Sequence, residues 1–264
     1  MSQGEEFYVG YQAQMPGGIA RHTRLVVVVL LFAAIVTAVA VVVLEKPFEP
    51  GVFEFGVVKS FEGVVEVAPV PTLLVTTREG GMHRSAEDRY LLVSPGKHSA
   101  VPLVDDFDGH SVHLEGSLIV RDESKMIEIK PGTVRPITAE ATPGVTLSDS
   151  TPVGRGVITG EIVDSKCFLG VMKPGREKTH RSCAARCIAG GVPPLLATTT
   201  VDGEEIFYLL LDSEGRAVND RILDYVAEPV AIRGEIRRQG AQQVFLADLE
   251  SIRRTSESFD HLQP

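Results

Sequence analysis

From Leu25 to Leu44 the chain reads LVVVVLLFAAIVTAVAVVVL, twenty residues with one threonine and no charge. No other feature narrows the possible folds as much. At about 1.5 Å per residue a helix of this run covers the roughly 30 Å hydrocarbon core of a bilayer. Inside lipid every backbone N–H and C=O must find its partner within the segment, and a helix does this even for a valine-rich stretch. A transmembrane helix over residues 25–44 is therefore predicted. Arg21, His22 and Arg24 precede it; Glu45 and Lys46 follow. The arginine excess on the N-terminal side predicts a cytoplasmic tail over residues 1–24 and an exported body. The expected location is the inner (cytoplasmic) membrane, single-pass, with the C-terminal body periplasmic or extracytoplasmic. Ala38-Val39-Ala40 resembles a signal cleavage site, but the apolar run continues to Leu44 and exceeds a signal h-region, so a retained anchor is expected. Phe7, Tyr8 and Tyr11, ahead of the Pro16-Gly17-Gly18 break, read as a disordered tail or as an interfacial or partner-binding segment.

Beyond the anchor, short runs rich in β-branched residues alternate with Gly, Pro and Asp, the pattern of β-strands. The runs repeat. RYLLV (89–93) matches FYLLL (207–211) at an offset of 118, and at that offset Val112, Leu114, Gly116 and Leu118 meet Val230, Ile232, Gly234 and Ile236. Asp106-Phe107 meets Asp224-Tyr225, and Met126-Ile127 meets Val244-Phe245. Upstream, PTLLVTT (71–77) matches PPLLATT (193–199), and FEGVVEV at Phe61 resembles ITGEIVD at Ile158. Each copy reads as three strands, a short helical or looped stretch near Asp106 or Asp224, and a final strand pair. That is the order of a five-stranded OB-like barrel. Gly116 and Gly234, each inside a good strand, suit the tight bend of a barrel corner. The expected fold is mainly β: a transmembrane helix, then two tandem OB-like barrels over 45–137 and 155–254. A Thr/Ser/Pro-rich linker (138–154) joins them, and a short tail (255–264) follows.

Eight residues take the first copy from Gly63 to Pro71, whereas 33 take the second from Gly160 to Pro193. The extra stretch, within 164–192, holds all three cysteines and His180. One barrel does without it, so it serves itself or a function and not the barrel core. EKTHRSCAARCIA followed by Gly190-Gly191 predicts a helix with a glycine stop. On it His180, Cys183 and Cys187 stand at i, i+3 and i+7, one stripe, and Cys167 lies where the preceding strand ends. The pattern C-x12-H-x2-C-x3-C predicts that Cys167, His180, Cys183 and Cys187 converge as a Cys3His ligand set for zinc. Met172 in the intervening loop would also suit copper in its Cu(I) state. Six basic residues against two acidic ones over 164–187 favour thiolates.

The segment TGEIVDSKCFLG…KTHRSCAARCIAGGVPPLL resembles a motif of small exported or membrane-anchored bacterial proteins. These carry G-E-V-V-D-x-x-C, then H-x-x-C-A-x-x-C, then G-x-P, on an OB-like barrel. The resemblance covers about Gly160 to Leu211 and the last strand pair. It implies fold and location, and no reaction.

Three functions fit these residues. The preferred one is a membrane-anchored accessory protein that binds a metal or cofactor through the cluster and docks to a membrane-protein partner. The second is a structural subunit stapled by a disulfide, which would leave one of three thiols over. The third is a thiol-redox enzyme using a Cys–His pair. A net charge of −9, with −7 over residues 45–150, argues against nucleic acid. No Gly-rich phosphate loop, G-x-S-x-G or EF-hand spacing is present. His110 and His113, at i and i+3 on a strand, point to opposite faces.

Overall fold

A computed structural model of the protein describes residues 14–44, 51–77, 86–137, 150–200 and 202–255. The tail aromatics Phe7, Tyr8 and Tyr11 and most of the linker lie outside them. The chain forms two compact units, Met1–Pro47 and Phe48–Pro264.

In the first unit, helix α1 (Gly17–Leu44) starts eight residues before the apolar run, directly after Pro16. It is long and apolar enough to cross a membrane. None of its residues is buried, and large side chains such as Phe32, Val36 and Val42 are exposed around it. A surface apolar all round suits lipid as solvent.

In the second unit, β1 (Lys59–Glu66), β2 (Thr72–Thr77), β3 (Ala86–Ser94), α2 (Val101–Val104), β4 (Ser111–Arg121) and β5 (Ser124–Ile129) form the first barrel. The second is built from β6 (Thr151–Asp164), α3 (Glu177–Ala189), β7 (Pro194–Thr199), β8 (Glu205–Asp212), β9 (Pro229–Gln239) and β10 (Gln242–Ala247). Each closes in the same order, β1-β2-β3-β5-β4-β1 and β6-β7-β8-β10-β9-β6, and only the β3–β5 and β8–β10 pairs are parallel. Closure removes sheet edges. The strand β6 begins at Thr151, within the stretch expected to be linker, because residues 151–157 pair with the far half of β9.

The repeat is written in the pairing. Leu91 faces Met126 and Leu209 faces Val244; Gly116 faces Ile129 and Gly234 faces Ala247. All keep the offset of 118. Gly63 faces Val112 as Gly160 faces Val230. One match slips. Leu73 pairs with Tyr90 where Leu196 pairs with Tyr208, so Leu73 corresponds to Leu196 and not to Leu195. In a strand a one-residue slip exchanges the two faces. Both PTLL and PPLL are buried on both faces, so the aligned prolines misled where the inward leucines decide.

Three apolar cores result. Val65, Leu73, Leu92, Leu114 and Ile127 fill the first barrel; Ile162, Leu196, Leu210, Ile232 and Phe245 fill the second. The third lies between the barrels, where Leu91, Val93 and Met126 meet Leu209, Leu211 and Val244. These two sets are related by the same offset, so the barrels present equivalent outer faces to each other. This explains the unbroken YLLV and FYLLL runs: alternate residues point into a barrel and into the seam.

Within each barrel two strands approach so closely that only glycine fits. A Cβ at Gly116 would lie 2.5 Å from Glu128 O, and one at Gly234 would lie 2.4 Å from Leu246 O and 2.6 Å from the Phe245 ring. The opposing atoms include backbone, which cannot rotate away. Alanine at Gly234 is expected to lower stability by about 1–3 kcal/mol, the range of core overpacking. Urea unfolding checks this, and Gly116→Ala should behave alike.

Candidate metal centre

Only five residues, Val67–Pro71, join β1 to β2. Between β6 and β7 the chain instead makes a π-helical turn, Cys167–Val171, and then α3. Helix α3 buries His180, Ala184, Cys187 and Ile188, a helical stripe, and leaves Cys183 half-buried beside it. Its start is tied to the barrel, since Glu177 N donates to Glu161 Oε1 at 2.5 Å. It ends at Gly190, and Gly191 takes φ +89°, as glycine readily does.

The strand β6 ends in Asp164, which is fully buried. Its carboxylate accepts Cys167 N at 2.8 Å through Oδ1 and lies 3.2 Å from His180 Nε2 through Oδ2. One side chain thus fixes both the start of the cysteine turn and the histidine ring. Cys167 Sγ is 3.8 Å from Cys183 Sγ. The donor atoms form two overlapping triads, Cys167–His180–Cys183 and Asp164–Cys167–Cys187, each within 4.8 Å. Cys167 belongs to both. All three cysteines are free thiols. A sulfur pair at 3.8 Å is far from the roughly 2.05 Å of a disulfide and matches two ligands about 2.3 Å from one tetrahedral ion.

The expected cationic surroundings take a different form. Lys166 pairs with Glu128, Arg176 with Glu205 and Arg181 with Glu228. Lys173, Lys178 and Arg186 are exposed. The cation at the thiols comes from the first barrel: Lys97 Nζ donates to Cys183 Sγ at 2.6 Å and to Cys187 Sγ at 3.6 Å. This hydrogen bond to Cys183 raises the lysine pKa, and the neighbouring thiol charges add to it against burial. Hydrogen bonding from Cys167 holds the Cys187 thiol below its usual range, helped by Lys97 against burial. Cys167, the donor in that bond, is pushed up, with burial and the Asp164 charge acting in the same direction.

Of the four residues expected to converge, Cys167, His180 and Cys183 form one group and Cys187 groups with Cys167 and Asp164; Asp164 and Lys97 were not among the expected residues. Asp164 sits three residues before Cys167, the spacing of a capping carboxylate, which was a readable signal. Nothing local marks Lys97.

Comparison with protein-family models, with curated proteins and with solved structures finds no match to this chain. The motif resemblance therefore stands on its own residues.

Proposed function

We infer that this is a membrane-anchored accessory protein whose exported body holds a soft metal ion, zinc or copper, through Cys167, His180, Cys183 and Cys187. The observation that carries the reading is the pair of triads of free thiols with a buried imidazole or carboxylate, Cys167–His180–Cys183 and Asp164–Cys167–Cys187, which share Cys167, with a Cys167–Cys183 sulfur spacing of 3.8 Å. When bound, the ion would stabilise the thiolates and tie α3 to the cysteine turn. Asp164, hydrogen-bonded to His180 Nε2, would keep the Nδ1 lone pair available, the orienting role that carboxylates serve for metal-bound histidines. Three thiols with one imidazole suit zinc; two thiols with one imidazole suit three-coordinate Cu(I). Titration of the reduced protein with zinc or with Cu(I) tests this. One tightly bound equivalent is expected, and Asp164→Asn should weaken it by about 10–100-fold.

Anchoring by α1, with the body outside the cytoplasm, suggests docking to a membrane-protein partner. A C-terminal alkaline phosphatase fusion should be active, whereas activity of a cytoplasm-only reporter would reverse the orientation.

One contact favours a second reading. Lys97 at 2.6 Å from the half-buried Cys183 is the surrounding of a reactive thiol, as the thiol-redox alternative requires. Rapid alkylation of Cys183 in a protein that takes up no metal would favour it.

A further inference from the structure

We propose that Lys97 is the resident cation of the thiol cluster and that a metal ion takes its place, so that loading the site drives this lysine of the first barrel out. The inference rests on the metal reading above. Lys97 Nζ stands between Cys183, which belongs to one triad, and Cys187, which belongs to the other. An ion bound about 2.3 Å from the Cys183 sulfur would share that sulfur with an ammonium. Two positive charges so close in a half-buried site repel strongly. The ammonium already does for the thiols part of what the ion would do.

The backbone of the lysine is not free to carry it away. Lys166 Nζ, from the second barrel, donates to Ser94 O at 2.9 Å and Gly96 O at 2.7 Å. On the other side Ser99 N donates to Gly190 O at 2.8 Å. A Cβ at Gly190 would lie 1.8 Å from Lys97 O, so the two chains touch there. The turn 94–99 is clamped between Lys166 and the end of α3, and the four-bond side chain is the movable part. Exit is a rotamer change at the barrel seam. It converts occupancy of a buried cluster into a charge newly presented on the first barrel, which a partner can read.

Amine footprinting of the full chain in detergent tests this, with thiols reduced and a succinimidyl acetate probe read by peptide mass spectrometry. Exposed Lys178 and buried Lys166 serve as fast and slow references. Without metal, Lys97 should label slowly. With one equivalent of zinc its rate should rise several-fold toward that of Lys178, while Lys166 stays slow. Bound zinc with an unchanged Lys97 rate overturns the inference and leaves the metal reading intact. A protein that binds neither zinc nor Cu(I) overturns both, and the metal count, not the labelling, reveals it. Lys97→Met should take up zinc several-fold faster than the parent chain; an equal rate also overturns the displacement.

Discussion

Serine at Cys167 should remove metal binding, with affinity falling by more than the roughly hundredfold that loss of an orienting partner causes. Cys167 is the one sulfur shared by both triads. It is also the residue that Asp164 fixes through the backbone. A hydroxyl in its place is a hard, weakly acidic donor that soft ions bind poorly. Cys183→Ser and Cys187→Ser each leave one triad whole, so each should retain weak binding. The ordering, with Cys167 most damaging, separates a two-triad centre from a surface thiol that scavenges metal. Titration of the three variants against a chromophoric zinc competitor measures it. Equal losses at Cys167 and Cys187 would count against the shared role.

The second large effect lies at the barrel seam. Arg121, at the end of β4, is 2% exposed, yet it carries a charge. It donates to Phe168 O at 2.8 Å, pairs with Glu205 of β8, and its guanidinium lies 4.0 Å from the Phe168 ring centre. Arg176 pairs with the same Glu205. Arg121→Ala takes the donor from Phe168 O and the cation from the Phe168 ring while Glu205 keeps Arg176, and loss of a hydrogen bond from a charged group costs about 1.5–3 kcal/mol. The variant should therefore lower stability by about that amount and Tm by roughly 5 °C for a body of this size. Lys130, whose pair with Glu115 is exposed on both sides, with side chains 54% and 36% exposed, is the control. Its alanine variant should change stability by less than about 1 kcal/mol, as surface pairs do. Thermal unfolding of the two variants side by side makes the comparison. Because Phe168 directly follows Cys167, loosening Arg121 should also make the thiols more reactive toward alkylation.

Much of the barrel architecture was legible because strand pairing repeats at a fixed offset. Gly116 and Gly234, Leu91 and Leu209, Met126 and Val244 are each separated by 118 residues, and each pair occupies equivalent positions. The slip at Leu73 was not legible, since a run buried on both faces has no alternation to mark its inward side. The seam was half visible: two-sided burial of YLLV follows from its composition, but not which surface covers it. The cysteine helix was readable from its formers and its glycine stop. The cation at the thiols was not. Lys97 lies 86 positions from Cys183, on a turn of the other barrel. Only the docking of equivalent barrel faces brings it there. Local charge counting pointed to Lys166, Arg176 and Arg181, whose carboxylate partners lie on strands and loops distant in sequence.

Whether the cluster holds metal is decided by elemental analysis coupled to a thiol count. Full-length protein is purified without chelator, its metal content determined, and its thiols titrated before and after denaturation in a metal chelator. About one equivalent of zinc or copper per chain is expected, with three thiols that react only after the ion is removed. Metal-free protein that shows one reactive thiol, and two more only after reduction, would contradict it.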